Sequence, residues 1–539
     1  MPTPSPVVVC SGLSFAWPDA TPVFSDLSLS IGPGRTGLIG LNGSGKSTLL
    51  RLIAGDLRPA RGSVSVSGEL GYVPQNVTLD VGSRVEDALG IGQIRRGLNA
   101  IEAGDASPEN FALVGGDWDV EERARATLSR LGLGEVPLER SIGELSGGES
   151  VLLSVAAQIL RRPAVLLLDE PTNNLDLEAR GRLYDAVGAW KGALIMVSHD
   201  RELLELVDQI GELRAGEVRW YGGNLTDYEQ AVAVEQEAAE RVVRSAEADV
   251  RRQRRELIET RTKIDRRARY GQKMQDTKRV PKIVAHERKR QAQVSAGKLR
   301  NTQIERLDDA RQRLGTAEEA VRDDSEIRVD LPETAVPAGR TVLTLRSVEL
   351  RYGARADLAV RGPERIALTG RNGAGKTTLL RTIVGEIRPV SGDVALAVPA
   401  RCLPQRLDLL DPGLTVAQNV ARRAPAATGN QVRARLARFL FRGRRADQLA
   451  GTLSGGELLR ATLASLLLAE PAPQLLLLDE PTNSLDMASV RELSGALASY
   501  PGALIVASHD IAFLRDLGIT RWLWLDGDPD RDRSAVTAP

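Results

Sequence analysis

GLNGSGKSTLL (residues 40–50) returns 330 positions later as GRNGAGKTTLL (370–380). Each copy fits G-x-x-x-x-G-K-[ST], follows a short apolar stretch (TGLIG, RIALTG) and precedes a helical run, the setting a phosphate-binding loop requires. Glycines let backbone amides converge on phosphate oxygens, and the helix behind them offers its positive end. The nucleotide-binding candidates are therefore Gly40, Asn42, Gly43, Gly45, Lys46, Ser47 and Thr48 in one copy. Their counterparts are Gly370, Asn372, Gly373, Gly375, Lys376, Thr377 and Thr378. Lys46 and Lys376 are placed for the β- and γ-phosphates, and Ser47 and Thr377 for Mg²⁺.

The repetition extends outward from this loop. LSGGE stands at 145–149 and 453–457, LLLDEPTNNLD (166–176) returns as LLLDEPTNSLD (476–486), and SHD occurs at 198–200 and 508–510. Lys46 precedes Gln75 by 29 residues, as Lys376 precedes Gln405, and 30 residues separate Asp169 from His199 and Asp479 from His509. The main difference is the stretch before LSGGE, 22 residues longer in the first copy, while LSGGE to the DE pair is two residues longer in the second. A chance glycine-rich turn explains one match but not two with shared downstream spacing.

The repeated motifs carry a coherent chemistry. VLLLDE and LLLLDE read as buried strands ending in two carboxylates. Asp169 and Asp479 suit the magnesium shell, while Glu170 and Glu480 suit polarisation of an attacking water. His199 and His509, two of only three histidines in the chain, are candidate sensors of the terminal phosphate. Gln75 and Gln405 have the offset to reach both metal and water. Trp17 and Tyr352, upstream of each loop, could stack on adenine or simply pack in a core.

Between the copies the character changes. Val243, Val250, Leu257 and Ile264 recur every seven residues, with Ala239 and Ala246 interleaved, and Leu307, Leu314 and Val321 resume the period. Such a seam predicts a long antiparallel helical hairpin turning near Pro281, with a first helix of about 38 residues, or roughly 57 Å. The chain as a whole balances 71 Lys+Arg against 71 Asp+Glu, which on its face argues against nucleic acid. Residues 251–300, however, hold 18 basic against 5 acidic residues, and six of the nine lysines lie between 263 and 298. Solvated coils usually mix signs, so this segment points to phosphate backbones of folded RNA. Its candidate contacts are Arg266, Arg267, Arg269, Tyr270, Lys273, Lys278, Arg279, Lys282, Arg288, Lys289 and Arg290. No apolar stretch approaches the roughly 18 residues of a membrane span. The N-terminus lacks a secretory pattern, and Cys10 and Cys402 form no metal or disulfide motif, so a cytoplasmic setting is expected.

LSGGE combined with a phosphate loop, the DE pair and the histidine resembles the ATP-binding-cassette ATPases. The resemblance implies an α/β fold with two cassette domains, about 1–224 and 331–528, a hairpin linker at 225–330 with a basic tip at 264–298, and a tail at 529–539. It also implies that each signature faces the other loop. Ser146, Gly147 and Gly148 would complete the Lys376 site, and Ser454, Gly455 and Gly456 the Lys46 site. DEPTNNLD, DEPTNSLD and WYGGNLTDY (220–228) resemble the ABC-F group, whose members act on ribosomes. That implies a 70S ribosome partner (rRNA and tRNA, at the exit or peptidyl-tRNA site), ATP and Mg²⁺, and a monomer that closes its own cassettes. Asn174 and Ser484 replace the group's histidine, Leu225 an aromatic residue, and Leu152 an arginine that the second copy keeps as Arg460. Residues 85–125 fall where the group can carry an arm, although an enlarged helical subdomain fits equally. General translation factor and ribosome-protecting resistance protein both stay open, with resistance favoured, and the alternative is the ATPase subunit of a drug exporter.

Overall fold

The computed structural model describes residues 5–75, 82–173, 175–276, 282–320, 331–351, 353–483 and 485–525. Tyr352, Lys278 and Arg279 lie outside the described residues, as do Asn174, Ser484, Pro281, the tail 529–539 and the side chains of Arg267, Lys273, Lys282, Arg288 and Lys289. Two compact units result: Met1–Thr226 together with Ser325–Pro539, and Asp227–Asp324.

The first cassette opens with β1 (Val8–Ala16), β2 (Pro22–Ile31), β3 (Arg35–Ile39), β4 (Arg61–Val66) and β5 (Leu70–Val73). It continues through β6 (Val165–Asp169), β7 (Ala193–Val197), β8 (Gln209–Arg214) and β9 (Glu217–Gly222). A small antiparallel sheet runs β2-β1-β4, and the main sheet runs β5-β6-β7-β3-β8-β9. The second cassette repeats this with β10 (Thr341–Glu349), β11 (Arg355–Arg361), β12 (Arg365–Thr369), β13 (Ser391–Leu396), β14 (Ala400–Leu403), β15 (Leu475–Asp479), β16 (Ala503–Ala507) and β17 (Arg521–Trp524). Its sheets run β11-β10-β13 and β14-β15-β16-β12-β17.

The central strands are parallel and buried over their whole length, which is why VLLLD, ALIMV, LLLLD and ALIVA read as continuous apolar runs. Parallel pairing also brings their C-terminal ends to one edge, where ligands of open α/β sheets bind. Asp169 pairs in register with Val197, and Leu38 pairs with the same Val197. The phosphate loop, the carboxylate pair and the histidine thus leave three neighbouring strands side by side.

The stretch 85–125 forms helices Val85–Ala88, Gly92–Glu102 and Pro108–Val114 and enters Val120–Arg130. Arg95, only 11% exposed, pairs with Glu86 and with Glu121 at 3.2 Å, and also with Glu139 beyond the stretch. This ties the additional helices into the helical part of the cassette.

In the second unit the first helix runs Leu225–Asp276, 52 residues and about 78 Å. The sequence expectation of about 38 residues was too short. Residues after Ile264 lack seam hydrophobics, but they also lack proline, and Arg, Lys, Gln and Met sustain a helix without burial. The second helix is Lys282–Ala320, so helix takes up most of the expected tip and no long loop separates the two. Partly shielded positions at 239, 243, 246, 250, 253, 257, 260 and 264 alternate by four and three, as the heptad reading requires. Arg313 of the second helix lies 3.5 Å from Asp249 of the first.

Candidate nucleotide sites and the family they define

Each phosphate loop contains glycines at positive φ, which an L side chain rarely adopts. Gly40 has φ +152° and Gly45 φ +102°, and a Cβ on Gly40 would stand 2.4 Å from the Leu213 carbonyl oxygen. Lys46, buried at the start of helix Lys46–Ala54, donates from Nζ to the carbonyls of Gly40 (2.8 Å) and Leu41 (2.9 Å). Burial lowers its pKa. In the second copy Lys376 Nζ donates to the Gly370 carbonyl at 2.8 Å and stands 2.8 Å from His509 Nε2.

The carboxylates sit where the strands end. Ser47 Oγ donates to Asp169 Oδ1 at 2.9 Å, and Thr377 Oγ1 to Asp479 Oδ1 at 3.1 Å. Glu170 and Glu480 adopt left-handed backbone, φ +48° and +44°, and their amides donate at 2.8 Å to the carbonyls of Val197 and Ala507. Burial pushes the Glu170 carboxyl up to about 8 and Glu480 up to about 7, and holds His199 and His509 down at about 3. At neutral pH each histidine is therefore uncharged. His199 Nε2 lies 3.1 Å from Glu170, and His509 Nε2 lies 3.3 Å from Glu480 Oε1, an oxygen that completes no hydrogen bond.

These groups face two cavities, of about 420 and 350 Å³. The first is lined by Trp17, Asn42, Gly43, Gly45, Lys46, Ser47, Thr48, Gln75, Glu170 and His199. The second is lined by Asn372, Gly373, Gly375, Lys376, Thr377, Thr378, Gln405, Asp479, Glu480 and His509. The structure thus brings together the candidates from distant parts of each cassette. Gly40 and Gly370 contribute behind the wall, through their carbonyls, and Asp169 through Ser47.

The opposite cassette closes each cavity with residues that the sequence reading did not single out. Thr482, Asn483, Leu485 and Val490 line the first, and Leu175 and Arg180 the second. Asp486 Oδ2 accepts from the Asn42 amide at 2.8 Å across the two cassettes. The signature serines cap their helices instead: Ser146 Oγ accepts from Glu149 N, and Ser454 Oγ from Glu457 N. Neither they nor Gly147, Gly148, Gly455 and Gly456 are among the residues lining these two cavities, although Gly455 lies close to Asn42 Nδ2. The four-residue DE–LD interval hides its reach because nothing in its spacing says that the following helix meets another cassette.

The family model described as ABC transporter matches residues 24–173 and 354–483. The chain belongs to the ATP-binding-cassette family. Within it the chain stands in the ABC-F group, and it is an ATPase that binds and hydrolyses ATP. It is 34% identical over 553 residues to the tylosin resistance ATP-binding protein TlrC of Streptomyces fradiae, covering 94% of this chain and 95% of that protein. It is 30% identical to the energy-dependent translational throttle protein EttA of Mycobacterium tuberculosis, covering 95% and 90%. It is 31% identical to the probable ATP-binding protein YheS of Escherichia coli, covering 92% and 75%. Among solved structures, RNase-L Inhibitor shares the fold of this cassette ATPase with a TM-score of 0.56 at 21% identity, covering 93% of this chain and 86% of that one. Among the described residues no helix is long and apolar enough to cross a membrane.

Proposed function

We propose that this cassette ATPase is a ribosome-binding factor that uses two ATP molecules to govern insertion of its basic hairpin beside tRNA. The observation that carries the reading is the pairing of two phosphate-loop cavities with a segment of net charge +13 between 251 and 300. Tyr270, 67% exposed, follows the exposed Arg266 and Arg269 on the first helix, with Arg290 exposed on the second, and offers a stacking face for bases or sugars. Relatives named for tylosin resistance and for translational throttling support a ribosomal target. The higher identity to the resistance protein, 34% against 30% for the throttle protein, favours ribosome protection over a general factor. A ribosomal partner also sets the work in the cytoplasm, where a single chain closes its own two sites.

In each site the phosphate loop holds the triphosphate, with Lys46 or Lys376 against its β- and γ-oxygens. The oxygen donors fit Mg²⁺, which prefers one or two carboxylates together with substrate phosphates. Ser47, Asp169 and Gln75 would hold it in one site, and Thr377, Asp479 and Gln405 in the other. The ion would neutralise charge on the phosphates. Glu170 or Glu480 accepts a proton from the water that attacks the γ-phosphorus, the bond to the β-γ bridging oxygen breaks, and ADP and phosphate result. His199 or His509, uncharged, donates toward the γ-phosphate, and Trp17 stacks on adenine. Each signature, Ser146–Gly148 or Ser454–Gly456, meets the nucleotide held by the opposite loop.

Glu170→Gln combined with Glu480→Gln keeps both pockets but removes the proton acceptors. ATP is expected to lock this chain onto 70S ribosomes in a sedimentation assay. Sedimentation independent of ATP, or none at all, would refute the ribosomal reading.

A further inference from the structure

Arg180 lies in the first turns of helix Leu177–Gly188, four residues beyond its capping Asp176. Its side chain is only 12% exposed and borders both nucleotide cavities. From one nitrogen, Nη1, it reaches Asp200 Oδ2 at 3.3 Å and the main-chain carbonyl of His509 at 3.4 Å. Asp200 follows His199 in the first cassette, whereas His509 belongs to the second. One guanidinium therefore joins the two histidine loops.

The repeat makes this contact one-sided. Asp169, His199 and Asp200 recur 310 residues later as Asp479, His509 and Asp510, and at the same offset Arg180 becomes Val490. Val490 borders the first cavity but has no donor to offer a facing carbonyl. Tyr184, whose hydroxyl donates to Asp200 at 2.7 Å, becomes Ser494, whose buried Oγ has no partner. A buried cation that ties a main-chain carbonyl fixes the loop it holds more firmly than an apolar contact does. The same charge also favours the ionised form of Glu480.

We propose that Arg180 is a positioning residue lent by the first cassette to the Lys376 site, where it holds the His509 loop in register for hydrolysis. The matching position of the second cassette is Val490, so the two sites are unequal at this contact, and it is the Lys376 site whose histidine loop receives the bond to its carbonyl. The proposal rests on the roles given above to Glu170, Glu480, His199 and His509.

Its test isolates each site. Glu170→Gln leaves turnover to the Lys376 site, and Glu480→Gln leaves it to the Lys46 site. Adding Arg180→Val is expected to lower kcat about tenfold or more in the Glu170→Gln chain, with KM for ATP changed by about twofold or less. In the Glu480→Gln chain the loss is expected to stay below about threefold, because Tyr184 and the Leu203 amide still hold Asp200. Arg180→Lys should recover part of kcat in the Glu170→Gln chain. If a silenced chain does not cycle, the rate of its single round of ADP formation is read in the same way. Equal slowing of both chains, no slowing of the Glu170→Gln chain, or a change confined to KM would overturn the role of Arg180. Full turnover by the doubly substituted Glu170→Gln, Glu480→Gln chain would instead overturn the carboxylate assignment on which the proposal stands.

Discussion

Glu170 and Glu480 combine two costs, a left-handed backbone outside glycine and a carboxyl buried beside a second carboxylate. Their amides are held by Val197 and Ala507, so the sheet edge fixes the conformation and aims each side chain into its cavity. Because burial raises these pKa values, the groups are proton acceptors only once pH has risen through them, so activity must fall on the acid side. Both singly substituted chains should therefore show an acidic limb in kcat/KM above the ordinary carboxylate range. The histidines, held near 3, do not titrate in this range. A limb at the ordinary carboxylate value in a stopped-time ADP assay would count against these acceptors. At this scale the sequence was readable wherever a motif carries its own spacing, as in Lys46, Asp169 and His199. It was silent on Arg180, because an arginine on a helix after DEPTNNLD is ordinary until the fold shows which carbonyl it meets.

Among the elements, the additional helices of the first cassette depend on Arg95. Its charge sits among Glu86, Glu121 and Glu139, and these partners draw on the helices Val85–Ala88 and Val120–Arg130 and the segment beyond. Arg95→Met retains the stem but removes the cation shared by the three carboxylates, leaving Glu121 with Arg125 at 3.0 Å and Glu86 with the more distant Arg84 at 3.8 Å. A loss of about 2–3 kcal/mol is expected, below the full cost of breaking a buried pair because Glu139 is half exposed. Thermal unfolding measures it, and adding Glu86→Gln should restore a part. A Tm unchanged by Arg95→Met would show that packing alone holds these helices. The heptad of the hairpin was legible because seam residues obey a period. Its length was not, because the period reports burial, whereas helix propensity carries the chain past Ile264 to Asp276 without any seam.

On the scale of the whole molecule, zero net charge is the sum of +13 in residues 251–300 and −13 in the remainder. A uniformly neutral protein and a segregated one have the same total but respond differently to salt. If the basic segment binds RNA phosphates, each arginine that meets one releases counterions, and affinity falls linearly with salt on logarithmic axes. Replacing the exposed Arg266, Arg269 and Arg290 by alanine should reduce that slope by about 2 to 3 when 70S binding of the Glu170→Gln, Glu480→Gln chain is followed across a potassium chloride series. Tyr270→Ala should act differently, lowering affinity by about 1–3 kcal/mol through lost stacking while leaving the slope in place. Substitution of three arginines of the second cassette, Arg388, Arg406 and Arg444, controls for net charge alone. If these lower the slope as far as the hairpin arginines do, binding follows the total charge and not the segment. If only the hairpin variants lower it, the charge segregation is what the ribosome reads.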